Sequence, residues 1–181
     1  MRRAGVVREH ERVRGDRMEW AEVAARLAAS RNYWLGTTSP SGAPHAAPVW
    51  GAVVGQALHL YSERRTVKAR NIAADPRVVV HLESADDVLI VRGTAEDLGT
   101  PADVPEVVAA LAAKYTHPAD RPYLPDADPD FDVVYAIRPH TAMAWAAGRL
   151  RGLAAPLARV SAPQRNRVTA AASGTGSGHG R

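Results

Sequence analysis

57-ALHLYSERRTVKARNIAADPRV-78 changes character halfway along. Up to Ser62 it alternates like a strand, with Leu58 and Leu60 in step ahead of Tyr61. Beyond Ser62 comes a cluster of hydroxyls and cations: Arg64, Arg65, Thr66, Lys68, Arg70 and Asn71. That cluster predicts a short helix over 64–74. Asp75-Pro76 ends it, because proline disfavours a helical conformation in the residue before it. The chain has two lysines against twenty-one arginines, and one of the two is Lys68.

A strand feeding into a cation-rich helix start points to an anion site. The first turn of a helix presents unpaired N–H groups and the positive end of its dipole. Ser62 and Thr66 add hydroxyls, Lys68 adds a point charge, and Asn71, three residues on, shares its helix face. The plainer alternative is a solvated basic surface. Lys114, on another helix, is read as having no part in the site.

Upstream, 33-YWLGTT-38 and 45-HAAPVWGAVV-54 read as strands about the turn 39-SPSG-42, where Pro presets one dihedral and Gly takes the positive one. A second tight turn at 54-VGQ-56 leads to the strand 57–62. Pro48 has no N–H for a ladder, so its strand belongs at an edge or a bulge. The backbone of Val49 and Trp50 is then free to meet a planar ligand; the alternative is an edge strand with one core tryptophan. Further upstream, Trp20, Val23, Ala24 and Leu27 predict an amphipathic helix starting near Met18, a candidate for the true start.

Downstream, strands are expected at 77–83 and 87–98, around the turn 84–86. A helix is expected at 104–114, with Val104, Val107, Val108 and Leu111 on one stripe, then a Pro/Asp-rich loop over 115–130. Strands at 131–139 and 140–147 complete the reading. Five to seven short strands, tight turns and few helices argue for a mainly β protein, a small antiparallel barrel with appended helices.

The net charge of +4 is unevenly spread. Residues 1–17 hold six Arg against three acids and 148–181 hold six Arg and no acid, whereas 18–147 hold 11 basic and 16 acidic residues. A nucleic-acid binder concentrates basic charge on its folded domain, so nucleic acid is not the expected partner. No apolar run approaches the roughly 18 residues that cross a bilayer. The basic start lacks the apolar stretch of a secretory signal, and the chain has no cysteine, so a cytoplasmic location is the default. His45, His59 and His81 fall in three strands without metal-ligand spacing, so no metal site is expected. No nucleophile elbow, Walker loop or GxGxxG appears.

Taken together, 35-LGTTSPSGAPHAAPVW-50, 60-LYSERRTVKARNIAADPRVVVHL-82 and 88-VLIVRGTAE-96 resemble the pyridoxamine 5′-phosphate oxidase-like superfamily of split-barrel flavin-binding proteins. The likeness covers about residues 20–147. It implies a split antiparallel β-barrel of the FMN-binding type, working as a homodimer with cofactor sites at the subunit interface. Pro48, Val49 and Trp50 would run along the flavin ring through their backbone. Tyr61, Ser62, Thr66, Lys68 and Asn71 would hold the phosphate, and the strand around Trp145 would complete the partner's site.

The C-terminal Arg/His segment of true pyridoxamine phosphate oxidases has no counterpart. The Lys-Ala-Arg-Asn helix resembles instead the branch that uses the deazaflavin coenzyme F420, whose polyanionic tail Arg64, Arg65 and Arg70 would engage. The implied function is a coenzyme F420-dependent oxidoreductase passing a hydride to an electron-poor small molecule. The alternatives are an FMN-dependent reductase or oxidase, and a non-enzymatic flavin- or haem-binding protein. No acid–base pair stands out, so protonation is assigned to solvent, with His45 and Tyr61 as side-chain candidates.

Three segments are expected: a disordered basic extension at 1–17, the cofactor-binding barrel at 18–147, and a tail at 148–181. The tail has no aromatic, no acid and no period, which reads as disorder. A frameshift near residue 148 is the specific alternative, since codons can be chosen so that the next frame reads as family-like sequence.

Overall fold

The computed structural model describes residues 19–146. The expectations for 1–17, for a start at Met18 and for the 148–181 tail concern residues outside that range. Seven strands form one sheet: β1 (Tyr33–Thr38), β2 (Pro44–Val49), β3 (Gly51–Val54), β4 (Ala57–Ser62), β5 (Arg77–His81), β6 (Asp87–Asp97) and β7 (Val133–Ala146). Three α-helices accompany them: α1 (Trp20–Ala29), α2 (Val67–Ala74) and α3 (Pro105–Lys114). None of the described helices is long and apolar enough to cross a membrane.

The strand order is β2-β1-β5-β6-β7-β4-β3, with every neighbouring pair antiparallel. The two edges, β2 and β3, are separated in the chain by Trp50 alone. A flat sheet would hold its edges several strands apart, so this one must curl until they meet. The result is the expected split barrel, mainly β.

The expected strand 45–54 is thus two strands. Val49 belongs to one edge and Gly51 to the other, and no ladder can continue through the joint. Pro48 sits in an edge strand, as its missing N–H requires. The opposite correction holds at the other end of the chain, where 131–139 and 140–147 form the single strand β7. Arg92 pairs with Thr141 but Gly93 with Pro139, so His140 is an extra residue in a β-bulge. The bulge is where β7 absorbs a proline.

Strand alternation separates two apolar layers. Leu35, Leu58, Leu60, Val80, Leu89, Val91 and Ile137 point into the curl, joined by Val23 and Leu27 from α1, one helical turn apart. A smaller cluster on the other face of β4 and β7 holds Tyr61 and Val134 against Val107 and Leu111 of α3. The turns behave as read: Gly42 and Gly55 have φ of 85° and 57°. Within the 115–130 loop, Pro118–Tyr123 forms a 3-10 turn.

Candidate functional site

Residue 62 is the last of β4 and Thr66 caps α2, which begins three residues later than the charge cluster implies. The Thr66 hydroxyl accepts from Ala69 N–H at 3.4 Å and donates to the Glu63 carbonyl at 2.8 Å. Ser62 Oγ lies 3.1 Å from Thr66 Oγ1. Asp75 closes the helix, its N–H donating to the Asn71 carbonyl. These caps explain why eight residues with a modest apolar face stay helical.

Lys68 is the second residue of α2. It is half-buried and makes no ion pair among the described residues, the neighbouring acid Glu63 being bridged to Arg65 instead. Burial lowers its pKa, with the charge of Glu63 opposing that shift. A partly desolvated ammonium without a counter-ion at a helix N-terminus is a group that a bound anion would satisfy. Asn71 is buried, and its side-chain amide donates to Thr37 Oγ1 at 3.0 Å, tying α2 to β1. Thr37 Oγ1 in turn lies 3.4 Å from His45 Nδ1.

Pro48, Val49 and Trp50 lead to the joint between the sheet edges. Pro48 is exposed and Val49 enters the core. Among the described residues β2 has β1 as its one strand neighbour, which leaves its other edge unpaired. The Trp50 ring is committed elsewhere: it stacks on Tyr115 at 4.4 Å and 8°, with the Arg31 guanidinium 5.5 Å away.

What holds that joint was not legible in the sequence. Tyr115 OH accepts from Gly51 N–H at 2.9 Å and donates to the Arg31 carbonyl at 2.6 Å. Lys114 Nζ donates to Gly51 O at 2.9 Å and to Tyr33 OH at 2.6 Å. Arg31 pairs with the buried Asp120 at 2.6 Å. Lys114 is therefore a structural clamp, not the uninvolved position assigned to it. Its place as the chain's other lysine was the one available signal.

Tyr61 stands apart from the hydroxyl cluster. It is one residue from Ser62, so alternation sends it to the opposite face of β4. Its hydroxyl donates to the Tyr123 carbonyl at 2.7 Å, and its ring meets Phe131 edge-on. Burial raises its pKa well above the usual range. Its hydroxyl therefore lies on the other face of β4 from Ser62 and Thr66 and is already donated to a backbone carbonyl. Trp145 is placed by register opposite Val88, and its side chain lies outside the described residues.

The three arginines read as reaching for a polyanionic tail have protein partners. Arg64 forms a two-pronged pair with Asp97 at 2.6 and 3.1 Å. Arg65 bridges Glu63 and Asp130 at 2.5 and 2.7 Å, and Arg70 donates to the Arg65 carbonyl.

The curled sheet, with its two edges meeting at Trp50, defines a split-barrel protein. Residues 20–146 match the family model described as pyridoxamine 5′-phosphate oxidase, and the chain belongs to that family. Among solved structures it is similar to the conserved hypothetical protein Rv2991 from Mycobacterium tuberculosis, at 27% identity and TM-score 0.62 over 81% of this chain and 94% of that one. It is also similar to a protein described as an F420 reductase, at 29% identity and TM-score 0.53 over 65% of this chain and 94% of that one. A heme binding protein from Mycobacterium smegmatis, at 23% identity and TM-score 0.56 over 77% and 55% of the two chains, shares the fold. No curated protein matches the chain.

Proposed function

We propose that this chain is a flavin- or deazaflavin-dependent oxidoreductase, with coenzyme F420 as the first choice of cofactor and FMN as the second. The observation that carries the reading is Lys68: half-buried, without an ion-pair partner, and at the start of a capped helix. Lys68, the first-turn N–H groups of α2 and the hydroxyls of Ser62 and Thr66 would hold the cofactor phosphate. The backbone of Pro48, Val49 and Trp50 at the free edge of β2 would lie along its ring, with Lys114 and Tyr115 keeping that segment in place. Asn71 acts indirectly, fixing α2 to β1 through Thr37.

When bound, the cofactor supplies hydride chemistry; the protein contributes orientation and electrostatics. Proton delivery falls to solvent or to His45, the remaining side-chain candidate. A homodimer, with the β7 strand around Trp145 meeting the partner's site, completes this reading.

The similarity to an F420 reductase supports coenzyme F420. The engagement of Arg64 and Arg65 by carboxylates favours FMN, because it removes the free cations assigned to a polyanionic tail. Absorption and fluorescence titrations of the purified protein with each cofactor decide between them. Tight coenzyme F420 binding followed by substrate-dependent oxidation of the reduced cofactor supports the first choice. A preparation carrying stoichiometric FMN and indifferent to coenzyme F420 reverses the order. Tight binding of either without turnover assigns the protein to storage or sensing.

A further inference from the structure

We propose that the outer face of the sheet carries a second anion site, which takes a small molecule with a flat apolar body and a carboxylate or phosphate group. The site is a groove of about 930 Å³ across β2, β1, β5 and β6, and it does not rest on the cofactor reading. Its floor follows from register. Ala46, Gly36 and Val79 lie side by side across three strands and continue to Arg92 on β6. The missing side chain at Gly36 and the small one at Ala46 leave a trough between bulkier neighbours.

The polar end of the groove is shaped by the bulge. Inserting His140 opposite the Arg92–Gly93 step turns its side chain outward, where Nε2 lies 3.0 Å from Thr94 Oγ1. Both Arg92 and His140 line the groove. Gly93 is required for this arrangement: a Cβ there would lie 2.3 Å from the Arg138 carbonyl, closer than any side chain tolerates. A bulge held by an obligatory glycine, presenting two basic groups at the head of a trough, is how sheets re-aim side chains beside functional sites.

The charges favour an anion. Arg77, at the groove's edge, is neutralised by Asp75 at 2.5 Å. Arg92 is exposed and makes no ion pair among the described residues, and His45 lies across the trough near Thr37. The planar fork of Arg92 suits a carboxylate or a phosphate, while the apolar floor of Ala46 and Val79 suits a flat body.

Phenyl phosphate and benzoate are suitable probes, with benzamide as the neutral comparison. Titration into isotope-labelled protein at low salt should give saturable amide shifts at Gly36, Val79, Gly93 and His140. Arg92→Gln should weaken binding about tenfold, as expected for loss of a charge-assisted pair, while Lys68→Ala leaves the groove shifts unchanged. Shifts confined to residues 66–71, equal affinity in Arg92→Gln, or equal shifts from benzamide would each overturn the site. A dimer whose dissociation constant rises in Arg92→Gln would give the groove to a second copy and overturn it as well.

Discussion

Lys114 Nζ reaches from the last residue of α3 to the carbonyl of Gly51, 2.9 Å away, and so ties a helix to the residue at which the two edges of the sheet meet. The same amine donates to Tyr33 OH and lies 4.5 Å from the centre of that ring. The barrel's closure is thus held from outside by an amine whose desolvation is offset by hydrogen bonds and aromatic faces.

Removing that amine should therefore destabilise the apo protein. Lys114→Ala leaves the Tyr33 hydroxyl without its donor and weakens the hold on Gly51. The expected loss is about 1–3 kcal/mol, read from chemical denaturation. An unchanged midpoint would show that Tyr115 alone holds the joint.

The same group sets a pH dependence. Burial, reinforced by the nearby charge of Arg31, lowers the Lys114 pKa to about 8, against 10.5 for an ordinary lysine. Between those values the unfolded chain binds the extra proton, so stability rises with pH across that window and levels off above it. Lys68 is shifted in the same direction, so the wild type must be compared with Lys114→Met. The difference in stability between the two should grow from pH 8 to 10. A constant difference would mean that Lys114 titrates normally.

Gly51 and Gly36 should differ sharply in their tolerance of alanine. A Cβ at Gly51 would lie 2.5 Å from the His59 carbonyl and 2.6 Å from Leu60 Cδ2, whereas at Gly36 its nearest neighbour would be the Val79 carbonyl at 3.5 Å. Gly51→Ala should lower the melting temperature sharply, by an overpacking cost of about 1–3 kcal/mol, while Gly36→Ala changes it little. Equal shifts would place the edge-to-edge joint elsewhere.

Much of this architecture could be read directly from residues. Ser-Pro-Ser-Gly, Val-Gly-Gln and Asp-Pro each carry a local mechanism, so the turns and the end of α2 were predictable within a few positions. Pro48 announced an edge strand for the same reason. The split at Trp50 and the continuity of β7 through Pro139 were not legible. Both depend on which strands become neighbours, a long-range outcome that no window of ten residues records.

The site divides along the same line. Ser62, Thr66 and Lys68 share a local turn, so spacing was enough to group them. Tyr61 stands apart from that group because adjacency in a strand means opposite faces, and the face its side chain occupies is defined by α3, over forty residues away. Arg64 and Arg65 were taken for ligand-binding groups because Asp97 and Asp130, which engage them, lie 33 and 65 residues away in the chain.

The central claim, that α2 opens an anion site with Lys68 at its heart, is tested most directly by titrating Lys68→Ala with FMN and with coenzyme F420. The lost charge-assisted contact should weaken binding of the preferred cofactor about 10- to 100-fold while the apo melting temperature stays within a degree or so of wild type. Unchanged affinity for both cofactors, with the protein folded, would contradict it.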